Sequence, residues 1–138
     1  MRLGAADFAG RWAIAREIED RRSGGTGVLE GEAVFTPTDY GLFYEESGLL
    51  RMGGGAALRA ERRYRWVFGE GRVEVFFDTG LPFHDFAPEG VSAGTEHLCG
   101  ADLYRVRYDF SGWPGWAAVW TVAGPAKDYT MRTAYSRA

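Results

Sequence analysis

One cysteine (Cys99), two histidines (His84 and His97) and one lysine (Lys127) stand among the 138 residues. A single cysteine excludes an internal disulfide and suits a reducing compartment. No apolar run approaches the ~20 residues that cross a bilayer as a helix. The first nine residues are interrupted by Arg2, Gly4 and Asp7 and do not form the apolar core of a secretory leader. These absences lead us to expect a cytoplasmic protein without a membrane span. The net charge is −3, with no basic excess to meet nucleic acid. There is no internal repeat, low-complexity tract or linker, and the length suits one domain over residues 1–138.

What the chain does have is aromatic residues, 15% of the total, and a two-residue period from end to end. Aromatics favour strands, and alternation of apolar with polar residues marks a strand with one buried face. Trp12, Ile14, Arg16 and Ile18 share one face of a strand near Arg11 to Asp20. Leu29, Gly31, Ala33 and Phe35 share a face near Val28 to Thr36. A third strand reads from Tyr40 to Glu46 and ends or bulges at Ser47-Gly48. Near Ala57 to Phe68, Leu58, Ala60, Arg62, Tyr64, Trp66 and Phe68 oppose Arg59, Glu61, Arg63 and Arg65. Further strands follow near Arg72 to Asp78, near Asp102 to Phe110 and from Trp116 to Val122. The last carries Lys127, Tyr129, Met131, Thr133 and Tyr135 on one face. About eight strands joined by glycine-rich turns predict an all-β fold, an antiparallel up-and-down β-barrel that hides its edges by closing. A barrel of that size has an interior able to hold one small ligand.

One connection breaks the rule of short turns. Thr79 to Gly100 is long for a compact barrel, and such segments are often functional. It contains both histidines and the cysteine, in Pro82-Phe83-His84 and His97-Leu98-Cys99. We expect it to cap one end of the barrel, with part of it extending the strand that follows.

Phe8-x-Gly10-x-Trp12 resembles the G-x-W start of the lipocalins and the wider calycin barrels. In that superfamily the tryptophan closes one barrel end beneath an arginine from a late strand. The resemblance implies that Arg132 or Arg137 plays that part here. Arg62-x-Tyr64-x-Trp66, Pro82-Phe83-His84, His97-x-Cys99 and Gly124-Pro-x-Lys-Asp-Tyr129 extend the likeness along the chain. Together they are similar to a small bacterial lipocalin-like family known only as a domain of unknown function. That resemblance brings a fold but no activity.

Arginine abundance has a codon-usage explanation, so only arginine position carries functional weight. Arg16, Arg62 and Lys127 read as inward-facing cations, and Tyr64, Tyr104 and Tyr129 share the inner faces. The intracellular fatty-acid-binding barrels hold a carboxylate with interior arginines and a tyrosine, an arrangement similar in kind. A guanidinium fork suits a carboxylate or phosphate in a low-dielectric cavity. The alternative is an internal salt bridge, for example from Arg16 or Arg62 to Glu45, Asp102 or Asp128.

The expected ligand is therefore small, partly apolar and anionic. The expected site comprises Arg16, Arg62, Tyr64, Trp66, His84, His97, Tyr104, Trp120, Lys127 and Tyr129. No cofactor and no metal are expected, because His84, His97 and Cys99 lack a tight ligand motif. Two other readings stay open: an enzyme using the same cavity with His84 as acid or base, and a filled barrel acting as an interaction module. The oligomeric state is open, a dimer included.

Overall fold

Period-two alternation builds one continuous antiparallel sheet in the computed structural model, which describes residues 1–138. A four-residue helix, α1 (Ala5–Phe8), leads into β1 (Gly10–Asp20), β2 (Gly25–Pro37), β3 (Gly41–Met52), β4 (Leu58–Gly69) and β5 (Arg72–Phe77). There follow β6 (Pro82–Phe86), β7 (Val91–Ala93), β8 (His97–Cys99), β9 (Asp102–Asp109), β10 (Trp116–Ala123) and β11 (Asp128–Arg137). The strand order is β6-β5-β4-β3-β2-β1-β11-β10-β9-β7, with β8 paired to β9 beside that path. Pairing of the first long strand with the last curls the sheet into a nearly closed barrel. No helix is long and apolar enough to cross a membrane.

The strand count corrects the expected eight to eleven. The difference lies in Thr79 to Gly100, which supplies the three short strands β6, β7 and β8 rather than a loop. This segment is part of the wall. His84 and Phe86 of β6 are buried, and β7 and β8 both pair with β9. It also draws the two sheet edges together. Thr95 N–H donates to the Asp85 carbonyl of β6 at 2.9 Å, and Gly94 N–H donates to the Val106 carbonyl of β9 at 2.9 Å. Edge groups that would otherwise be open to solvent are thereby partly satisfied.

The third strand does not end at Ser47-Gly48 but continues to Met52. Gly48 sits opposite Gly31 of β2. A Cβ on Gly31 would lie 2.0 Å from the Ser47 carbonyl oxygen, and one on Gly48 would lie 2.6 Å from the Glu30 carbonyl oxygen. The pair lets two backbones close up where the sheet coils, so glycine here marks close approach and not a stop.

One end of the barrel is sealed by aromatics. Trp12 and Phe8 are fully buried, and Trp12 Nε1–H donates to the Phe8 carbonyl at 2.8 Å. The Arg137 guanidinium lies 3.8 Å from the centre of the Trp12 ring and donates to the Asp7 and Ala9 carbonyls at 2.6 and 3.0 Å. Arg137 therefore holds the position that the G-x-W resemblance implied, while Arg132 lies outside the barrel, 3.8 Å from Glu19. Phe35, Trp66, Phe86, Phe110 and Trp116 complete a packed apolar half. We expect Gly31→Ala to force β2 and β3 apart. Overpacking of this kind costs about 2 kcal/mol or more and should lower the thermal midpoint by roughly 5–10 °C, measured by circular dichroism.

Candidate functional site

Above the aromatic seal the interior becomes polar, and the strand register dictates which residues meet there. Arg16 of β1 and Glu46 of β3 both face inward, separated by β2, which carries the small residues Gly31 and Ala33 on its inner face. Arg16 grips Glu46 with both terminal nitrogens, at 2.6 and 2.9 Å, and its Nε donates to the Thr133 hydroxyl at 2.7 Å. Both side chains are almost completely buried, at 6% and 4% exposure. Tyr44 donates its hydroxyl to Glu46 at 2.5 Å, and the Tyr135 hydroxyl stands 3.0 Å from that of Tyr44. An ionised carboxylate only accepts. Tyr44 must therefore donate to Glu46, and Tyr135 to Tyr44.

Burial by itself would push the Glu46 pKa up and the Arg16 pKa down, because it disfavours charge. The bidentate bond outweighs it in both partners. Glu46 is held below the usual carboxylate range and Arg16 above its ordinary value. The internal salt bridge foreseen as the alternative for Arg16 thus exists, but its partner is Glu46 rather than Glu45, Asp102 or Asp128. Glu45 faces outward, where it meets Arg63 at 3.5 Å.

Arg62 of β4 is placed differently. Its side chain keeps 41% of its surface exposed, and its Nε lies 4.0 Å from Glu46, whose oxygens are already held by Arg16 and Tyr44. Its Nη2 otherwise reaches the Met131 sulfur, at 3.8 Å, and the guanidinium also faces the Tyr64 hydroxyl. Two guanidinium groups and one carboxylate leave the cluster with one positive charge to spare.

His84 is buried on β6, with Nε2 2.9 Å from the Tyr108 hydroxyl and Nδ1 unpartnered. If the buried Tyr108 hydroxyl donates to Nε2, one buried group is orphaned. The reverse direction orphans two, so the hydrogen-bond count favours Tyr108 as the donor. Burial pushes the His84 pKa down to about 3, which leaves the ring neutral at physiological pH and ill suited to acid–base work there.

Two adjoining spaces lie above the seal. The inner chamber, about 40 Å³, is lined by Arg16, Glu46, Tyr64, Trp66, His84 and Trp120 among others. It has room for a few water molecules and no more. The outer vestibule, about 290 Å³, is lined by Arg62, Tyr64, Phe77, Phe83, His97, Cys99, Tyr104, Trp120, Tyr129 and Met131. Arg62, Tyr64, Phe83, Trp120 and Met131 border both spaces. Of the expected site residues, only Lys127 lines neither. It stands half-exposed beside the vestibule, donates to the Tyr104 hydroxyl at 3.1 Å and lies 3.5 Å from Asp102. No three His, Cys, Asp or Glu side chains gather as a metal would require.

Sequence reasoning passed over Glu46 and Tyr44 and, while counting Phe83 among aromatics able to line a pocket, could not fix which way it turns beside His84. Alternation through Leu42, Tyr44 and Glu46 into Gly48 and Leu50 would have found the first two, had Gly48 been read as close approach. Phe83 has no such signal. The β5–β6 register shifts between Val75 and Phe76. This bulge lets consecutive residues Phe83 and His84 both border the interior.

Two outcomes follow from the buried groups. Glu46→Gln leaves the Arg16 charge buried with a neutral partner, and breaking such a pair costs about 3–5 kcal/mol, to be read by urea denaturation. The folded pKa of His84, about 3, lies below the ordinary 6.5, so the unfolded chain binds its proton first as pH falls. Stability contributed by neutral His84 is complete above pH 6.5 and is lost on acidification from there towards pH 3. The slope is roughly 1.4 kcal/mol per pH unit for this one group. A His84→Phe variant should show a flatter acid limb across that window.

The shape has known counterparts. An S-type phycobiliprotein lyase, CPES, from Guillardia theta superposes with a TM-score of 0.67 at 7% identity, over 99% of this chain and 94% of that one. A protein of unknown function from the DUF3598 family of Nostoc punctiforme PCC 73102 superposes with a TM-score of 0.59 at 12% identity, over 97% of this chain. The match spans 48% of that protein. Identities this low speak for the antiparallel barrel fold and for nothing more. No curated protein sequence matches the chain. Residues 8–137 match a family of unknown function, DUF6314, and with nearly the whole length covered the chain belongs to that family.

Proposed function

We propose that this single lipocalin-like domain, residues 1–138, binds a small, partly apolar, anionic molecule in the vestibule. The observation that carries the reading is Arg62. It borders both spaces, and the one carboxylate near it is already held by Arg16 and Tyr44. A guanidinium in that position is a ready partner for a carboxylate or similar group. The remaining lining is mostly aromatic, which supplies the apolar part of the contact. Arg16 belongs to the support beneath the site, since its charge is neutralised internally. Tyr64, Tyr104, Trp120, Tyr129 and His97 form the walls, and Lys127 steadies Tyr104. Catalysis by His84 is the weaker reading, because a ring held neutral down to about pH 3 neither donates nor takes protons readily near neutrality. An unpaired, exposed Cys99 fits a reducing compartment such as the cytoplasm.

The test is fluorescence titration with 8-anilinonaphthalene-1-sulfonate, an apolar monoanion. Loss of a hydrogen-bonded charge partner weakens binding about tenfold to a hundredfold. Arg62→Met should show that loss with an unchanged thermal midpoint, because the residue is half-exposed. Equal binding by variant and parent would remove Arg62 from the site and the anionic ligand from the proposal.

A further inference from the structure

His84 takes no part in the Arg16–Glu46 cluster, yet its ring borders the inner chamber. It is 7% exposed, and its Nδ1 has no hydrogen-bond partner in the protein. The Tyr108 hydroxyl, 2.9 Å from Nε2, donates to that nitrogen, so the proton of the neutral ring sits on Nδ1. A buried N–H without an acceptor is costly, and native proteins rarely leave one.

The other free groups around the chamber are donors too. Arg62 borders it with the positive charge that Glu46 does not neutralise. The guanidinium faces the oxygen of the Tyr64 hydroxyl, which leaves that hydroxyl's own proton free. Glu46 has both oxygens engaged, by Arg16 and Tyr44, and Tyr135 gives its proton to Tyr44. The space thus offers one cation and two neutral donors. Its complement is an acceptor that carries one negative charge.

Size narrows the class. The chamber measures about 40 Å³, the room of a few water molecules. A carboxylate, flat and built of three heavy atoms, suits that room better than a tetrahedral sulfonate or phosphate. Chamber and vestibule adjoin at Arg62, Tyr64 and Trp120. A chain attached to the carboxylate therefore runs outward into the vestibule, about 290 Å³.

We infer that the inner chamber is a carboxylate site. The ligand's head bridges Arg62, the Tyr64 hydroxyl and His84 Nδ1–H, and its apolar part lies outward in the vestibule. The inference rests on the anion-binding reading above and adds the head group, its direction and a binding role for His84.

Imidazole correlations of nitrogen-15-labelled protein test the donor. They should show His84 protonated on Nδ1 at neutral pH, and octanoate should move that proton downfield. A ring protonated on Nε2 would overturn the inference, because a lone pair on Nδ1 repels a carboxylate. An Nδ1 proton that bound octanoate leaves unmoved would overturn it too. Calorimetric titration with octanoate, octane-1-sulfonate and 1-octanol tests the head group. We expect octanoate to bind about tenfold tighter, or more, than the sulfonate, which reaches Arg62 only from the vestibule side. The alcohol should be weaker still. A sulfonate bound as tightly as octanoate would overturn the chamber site and leave the anion-binding reading intact. Failure of both anions to bind, or an alcohol bound as tightly as the acid, would overturn both readings. His84→Phe, checked for folding by circular dichroism, should weaken octanoate about tenfold and leave the sulfonate unchanged. Equal losses for the two anions would give His84 a structural part only and overturn the inference.

Discussion

The Arg16–Glu46 ion pair is the constraint on which the rest of the interior depends. Two charges with so little exposed surface are costly to desolvate, and their attraction repays that cost only when the geometry is good and the remaining donors and acceptors are filled. Here they are filled: Thr133 takes the Arg16 Nε proton, and Tyr44, backed by Tyr135, donates to Glu46. The pair reaches across β2, so it ties together three strands whose register it also polices. A one-residue slip of β3 would turn Glu46 to the outside and leave Arg16 buried alone. Gly31 and Ala33 on the inner face of β2, and the close passage of Gly31 past Gly48, belong to the same arrangement.

From that belt the barrel divides into two halves of opposite character. Towards the closed end lie Trp12, Phe8, Phe110 and Trp116, packed against one another and latched by Arg137. Towards the open end lie rings that are only partly buried, among them Tyr64, Phe77, Phe83, Trp120 and Tyr129. The apolar half supplies most of the stability, because buried apolar area is the dominant favourable term. The open half is left free to vary in use. The belt between them fixes the net charge at the base of the vestibule, and Arg62 inherits the charge that Glu46 cannot neutralise.

The short strands β6 to β8 show how a segment rich in chemistry can serve structure and site together. His84 is absorbed into the wall by Tyr108, Phe83 is turned inward by a bulge, and His97 and Cys99 edge the opening. Their crowding in sequence suggests a reactive loop. Their pairing with β5 and β9 instead spreads them over different depths of the barrel.

Alternation in the sequence was enough to determine the all-β class and the inward faces of β1, β2, β4 and β11, because side-chain period and local turns are local properties; the seal at Trp12 was implied by the G-x-W resemblance. Alternation also placed Arg16 and Arg62 on inner faces. Only the tertiary structure decided which arginine is free. That outcome depends on Glu46 meeting Arg16 across an intervening strand, a contact of 30 residues' separation with no trace in local pattern. The same holds for Gly48, whose meaning is set by Gly31 opposite it, and for Phe83, whose direction is set by a bulge against β5. Local sequence fixes which way a side chain faces along a regular strand. What it meets there depends on register, coil and closure, which are properties of the whole barrel.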